Sequence, residues 1–331
     1  MRSDVMTANR KRYMEIDIAR GIGIILVVLG HALRQTGSSA FPVQLPISVI
    51  YSFHMPLFFI LSGFTAAKIL TLGSARERAD FIGKRAQRLL IPYAVMSILY
   101  LPLKIFLSRY AIKPYELSSA WRILIGDSPN TAVWFLFILF FCCAAAALVI
   151  RTGNLTMVLA ASFLICGAAH ALDWQIRFPR YFFYFVLGLW LRENYDGWDE
   201  VLQRPAAVLL SVVLFTVGNA AGWFYGKLWF MLTALTGSHL LLALSIRLAG
   251  PSRSDGRATA LLEKFGLYSM DIYIFSEPVM TVFRLVLRNM LHLPVAVCTV
   301  LCFLAGLLIP QPVCIWIIRK VPVFRKMFLG L

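Results

Sequence analysis

The sequence predicts an all-α bundle of about ten transmembrane helices with both termini cytoplasmic, and three observations predict it. Of 331 residues, 60% are hydrophobic and 15% are charged, where soluble domains average roughly 45–50% and 25%. The apolar residues gather into ten runs of about 20 residues, the length of helix that crosses a hydrocarbon core. With the N-terminus inside, 20 Lys and Arg fall in segments facing the cytoplasm and nine in segments facing away, the bias that orients multi-span chains. The same bias accounts for the net charge of +16, so nucleic acid is not an expected partner.

The runs lie near 16–35, 46–70, 89–109, 132–150, 155–172, 178–193, 205–224, 228–249, 267–289 and 294–318. The basic start (Arg2, Arg10, Lys11, Arg12) leads into a first run that carries Asp17 and Arg20 without a small-residue cleavage site, so this span is expected to stay in the mature protein. The chain shows no internal repeat and no soluble domain on either end, its longest polar stretches lying near 71–88, 110–131 and 250–264, and it reads as one domain over 1–331. All six cysteines fall in apolar runs, as small core residues do. No metal site is expected.

The first span holds the costliest residues. Arg20 at membrane depth costs about 2.5 kcal/mol or more. His31 stands eleven positions later, and at about 100° per residue three turns return it to nearly the same azimuth with a rise of about 16 Å. One helical face therefore carries both groups at two depths. Asp17, three residues before Arg20, offers an intrahelical ion pair as the plain alternative. Gly21, Gly23 and Gly30 permit close approach of a neighbour.

In the second span His54 precedes Pro56, which removes a backbone hydrogen bond, and it lies toward the same outer half as His31. The two histidines are thus candidates for one site. Ser62 and Gly63 form a small patch suited to helix packing. The third span is preceded by Arg76, Arg78, Lys84, Arg85 and Arg88. Two readings stay open for this block: a topological signal touching anionic lipid, or a polyphosphate clamp, since Arg85 and Arg88 share a face one turn apart. In the ninth run Glu277 is an ionisable group whose plain role is a hydrogen bond to another helix. The outer loop 110–131 carries Tyr115 and Trp121, which suit either a sugar or the membrane interface.

Taken together, Arg20-x10-His31, the block Phe53-His54-Met55-Pro56-Leu57-Phe58-Phe59-Ile60-Leu61-Ser62-Gly63-Phe64, the basic Lys84-Arg85…Arg88…Pro92 and Trp134-Phe135-Leu136 resemble the acyltransferase 3 family of membrane proteins. The run from Ile16 to His31 is most similar to its fucose 4-O-acetylase-like branch. The resemblance implies a ten-helix enzyme of the inner (plasma) membrane. Such an enzyme takes an acyl group, usually acetyl, from cytoplasmic acyl-CoA and attaches it to a hydroxyl of a carbohydrate, commonly one of the cell envelope. Carried over residue by residue, it points to Arg20, His31, His54, Arg85 and Arg88. It departs at Ser276, where the family pattern commonly has a histidine; Glu277 follows directly.

Acyl transfer from a thioester to an alcohol needs a base, a grip on the donor and donors for the developing oxyanion. The expected roles are His31 as general base, Arg20 on the thioester or pantetheine arm, Arg85 and Arg88 with Lys84 on the donor phosphates, and His54 orienting His31 or binding the acceptor. Asp17 and Glu277 are further candidates. The expected partners are acetyl-CoA or another acyl-CoA, a carbohydrate acceptor and membrane lipids. A multi-span transporter or flippase for a sugar-linked substrate is the alternative, although no repeated halves are visible; a ligand sensor or a structural partner of an envelope complex is a third class.

Overall fold

The computed structural model describes residues 13–106, 116–130, 132–225, 229–250 and 256–331. Tyr115 and the basic residues Arg2 to Arg12 lie outside the described residues. The fold is all-α, and a helix stands at each of the ten expected runs: α1 (Met14–Arg34), α2 (Phe41–Thr65), α3 (Ala75–Phe106), α4 (Trp134–Val149), α5 (Leu155–Ala171), α6 (Arg177–Glu193), α8 (Pro205–Tyr225), α9 (Trp229–Ala249), α11 (Ser269–Arg284) and α12 (Val295–Leu308). Four shorter helices lie between or after them: α7 (Tyr195–Gln203), α10 (Arg257–Leu267), α13 (Pro310–Val313) and α14 (Pro322–Leu329). Among the described residues six segments are long and apolar enough to cross a membrane by length and composition: α1, α2, α3, α9, residues Pro205–Gly222 of α8, and Val295–Ile318. The helices α4 and α5 are shorter and equally apolar. Outward-facing Met157, Leu164, Leu209, Leu210 and Leu308 are exposed, as lipid-facing side chains of a bundle are.

Two boundaries differ from the sequence reading for local reasons. The second helix starts five residues early, at Phe41, with Pro42 in its first turn, where a missing N–H costs nothing. The third begins at Ala75 instead of near 89, because Ser74 and Glu77 form a capping box. Ser74 Oγ accepts the Glu77 N–H, and the Glu77 carboxylate accepts the N–H groups of Gly73 and Ser74, satisfying orphan donors of the first turn. The basic block is thereby built into four continuous turns below the apolar part of α3.

The centre of the bundle is α1, which packs against α2, α9, α10, α11 and α12. Glycines set two of the closest crossings. Gly63 of α2 abuts the Phe185 carbonyl of α6, and Gly188 of α6 abuts the Ile60 carbonyl of α2; likewise Gly21 of α1 meets Leu262, and Gly266 meets the Asp17 carbonyl. A Cβ at any of these positions would occupy the facing oxygen. Small residues allow backbones to approach this closely in a bilayer, where apolar area alone gives helices no reason to associate. Elsewhere Arg78, buried at 7% exposure, donates to the carbonyls of Leu72 (2.5 Å), Ile150 (3.1 Å) and Ala147. It supplies donors that the last turn of α4 otherwise lacks.

Both described ends of the chain lie at one end of the bundle. Asp17 of α1 packs on Gly266, while Gly330, in left-handed conformation at φ 62°, packs on the backbone of Gln87 and Arg88 after α14. Asp17 and Arg88 in turn border one cavity.

Candidate active site

That cavity has a volume of about 350 Å3, and its lining includes Asp17, Arg20, Ser62, Thr65, Arg85 and Arg88, with Met55, Phe58, Phe135 and Leu139 as apolar wall. Arg20 Nη2 donates to Thr65 Oγ1 at 2.8 Å and to the Leu61 carbonyl at 3.3 Å. Its Nη1 lies 3.8 Å from Asp17 Oδ1. The ion pair with Asp17 therefore exists, but it is the longest of the three contacts, and Arg20 is held chiefly by the end of α2. This anchor was not legible in the sequence, because Thr65 lies 45 positions from Arg20 and only the packing of α1 on α2 joins them. Arg85 lies over the Phe81 ring, 5.0 Å from its centroid. Arg85 and Arg88 come from α3 and Arg20 from α1, and the three arginines border one chamber. Lys84 is exposed and is not among the residues bordering the cavity.

Three turns along α1 from Arg20, the His31 Nδ1 lies 3.5 Å from Glu277 Oε2 of α11. Gln35, one turn further, donates from Nε2 to both Glu277 carboxylate oxygens at 3.3 Å. A carboxylate only accepts, so with Glu277 ionised this arrangement favours the proton on His31 Nδ1 and leaves Nε2 with its lone pair. Glu277, one position past Ser276, is brought into the histidine site by the register of α11 against α1. Gln35 was missed in the sequence; its signal was the four-residue spacing from His31.

Tyr51 joins the two histidines. Its ring meets His31 edge-on with centroids 6.2 Å apart and His54 at 4.9 Å. Gly30 makes room for it, since a Cβ there would strike the Tyr51 ring. His54 Nδ1 donates to the Ile50 carbonyl at 2.7 Å, which fixes the proton on that nitrogen. The structure thus gathers His31, His54 and Glu277 at one level of the bundle, and Arg20, Arg85, Arg88 and Asp17 at the other. Trp121 is exposed in a short 3-10 helix, Leu117–Ile125. The six cysteines are free and buried. Among the described residues no three His, Cys, Asp or Glu side chains gather as a metal site.

Nodulation protein NolL of Mesorhizobium japonicum is 33% identical over 106 residues, 31% of this chain and 28% of that protein. Nodulation protein NolL of Sinorhizobium fredii is 42% identical over 84 residues, 24% of this chain and 22% of that protein. These matches span about a quarter of the length of either relative. No solved structure gives a significant match. The profile of the acyltransferase 3 family, described as an acyltransferase domain, matches residues 14–316. That match takes in every residue of both clusters, and the chain belongs to the acyltransferase 3 family of multi-pass membrane proteins.

Proposed function

We propose that the protein is an O-acyltransferase that moves an acyl group, acetyl by preference, from cytoplasmic acyl-CoA to a hydroxyl of a cell-envelope or exported carbohydrate. The observation that carries this reading is the pairing of two clusters on one helix. Three arginines border a chamber at the Arg20 level, and a histidine backed by a carboxylate stands about 16 Å further along α1. That separation suits a long, flexible donor whose charged end is held at one depth and whose reactive end works at another.

In this mechanism Arg85 and Arg88 hold the donor phosphates, and Arg20 holds the pantetheine arm, whose thioester end reaches the His31 level. His31 Nε2 takes the proton of the acceptor hydroxyl as its oxygen attacks the thioester carbonyl carbon. Glu277 holds the imidazole in the needed tautomer and stabilises the imidazolium that forms. The tetrahedral intermediate collapses with cleavage of the carbon–sulfur bond, and the imidazolium returns its proton to the leaving thiolate. Transfer is direct, so no serine or cysteine nucleophile is required. His54, with its Nδ1 committed to Ile50, orients the Tyr51–His31 pair or meets the acceptor. The Arg20 end, which carries the greater share of positive charge, faces the cytoplasm of the plasma membrane; the acceptor reaches His31 from the opposite side.

Release of free CoA thiol from acetyl-CoA by the purified protein, with and without carbohydrate, tests this reading. Wild type is expected to release thiol, and His31→Ala and Arg20→Ala are expected to lose it. Full activity in either variant removes that residue from the mechanism. Movement of a sugar-linked substrate across vesicles without acylation replaces the enzyme with a transporter.

A further inference from the structure

Resting on the acyltransferase reading, we infer that the acceptor carries an anionic group, a phosphate or a carboxylate, held by Arg34, Lys104 and Arg284 at the rim beyond His31. Three helices deliver these cations in parallel. Both α3, at Arg88, and α11, at its first residue Ser269, border the cavity. Further along, Tyr100 and Thr281 tie the same two helices together by a 2.8 Å hydroxyl contact. Lys104 lies one turn past Tyr100, Arg284 lies three residues past Thr281, and Arg34 lies three residues past His31 on α1. Arg34 therefore emerges about one turn beyond His31, and Lys104 and Arg284 about two turns beyond the level of Glu277.

Their surroundings leave the positive charge in excess. The carboxylate near them is Glu277, already engaged by His31 and Gln35. Among the described residues no carboxylate forms an ion pair with Arg34, Lys104 or Arg284. Lys104 and Arg284 are half-buried, where a charge calls for a partner. Arg34 lies over Tyr51, 5.8 Å from the ring centroid, a neutral contact that leaves its charge unbalanced. Nor does topology explain them, because this is the end of the bundle poorer in Lys and Arg. An anion on the acceptor would answer the cations and bring a neighbouring sugar hydroxyl down to His31.

The test is binding to protein in nanodiscs of matched pairs of acceptors at low and high salt. One pair is undecaprenyl-phosphate-linked glucose against octyl glucoside; the other is a glucuronic-acid disaccharide against its neutral glucose counterpart. At least tenfold preference for one anionic member, falling with salt, is expected, and the pair that shows it tells a lipid-borne phosphate from a sugar carboxylate. Arg34→Gln, Lys104→Gln and Arg284→Gln together should abolish the preference, with acetyl-CoA binding retained as the check on folding. Equal binding of charged and neutral members by wild type overturns the inference without recourse to any variant, as does a preference that survives the three replacements. Thiol release from acetyl-CoA is measured separately, so failure of the acyltransferase reading is seen as loss of that signal alone.

Discussion

Glu277 stands 3.5 Å from the Nδ1 of His31, across the contact between α11 and α1, and Gln35 holds its carboxylate from the far side. This is the orientation a histidine base needs, with one ring nitrogen occupied and the other left for the reacting proton. Glu277→Gln keeps the shape and removes the charge that stabilises the imidazolium. Its turnover should fall by about 10²–10⁴-fold, the range for losing a group that acts in general base catalysis. The KM for acyl-CoA should not change, because the chamber proposed for the donor phosphates lies at the other level. Initial rates over a range of acetyl-CoA concentrations separate the two effects.

Arg85 and Arg88 should show the reverse pattern. A hydrogen bond to a charged group contributes about 1.5–3 kcal/mol, so Arg85→Ala or Arg88→Ala should raise the donor KM roughly 10- to 100-fold. Lys84→Ala, at an exposed position off the cavity, should shift it less than about threefold, as a solvent-screened charge does. Titration calorimetry with CoA distinguishes the three variants; equal losses at all of them would mean that general positive charge, and not the chamber, binds the donor.

Arg20 separates a structural ion pair from a donor contact. Arg20→Lys keeps the charge but cannot reproduce the fork whose Nη2 reaches Thr65 and Leu61 while its Nη1 faces Asp17. Acyl transfer should drop at least tenfold with the melting temperature within a few degrees of wild type. A large loss of stability with normal turnover in the surviving protein would assign Arg20 to folding.

How far the sequence disclosed this arrangement depended on which distances were periodic. The phase of Arg20 with His31, and of Arg85 with Arg88, follows from helical geometry within one element, so both faces were visible before any packing was known. The ten helices were visible because a bilayer demands apolar length. The partnership of His31 with Glu277 was not, since 246 positions separate them and only the register of two packed helices brings them together. Lys84 shows what charge alone leaves open. Its charge placed it with Arg85 and Arg88, but it stands a full turn before Arg88 on α3 and is not among the residues bordering the chamber. Arg78 was counted with the same block, and no local signal marked it as buried.

Arg78 gives the stability prediction that stands clear of catalysis. It serves three carbonyls, on Leu72, Ala147 and Ile150, and so closes the end of α4 against the start of α3. Arg78→Ala leaves those acceptors buried without donors, and each unsatisfied group costs about 1–3 kcal/mol. Arg78→Lys replaces the planar fork with one ammonium and restores only part of the loss. The expected order of melting temperature in detergent is wild type, then Arg78→Lys, then Arg78→Ala, with the donor KM of folded protein unchanged in all three because Arg78 lies off the cavity. A raised donor KM in Arg78→Lys at normal stability would instead move this arginine into the phosphate-binding face of α3, alongside Arg85 and Arg88.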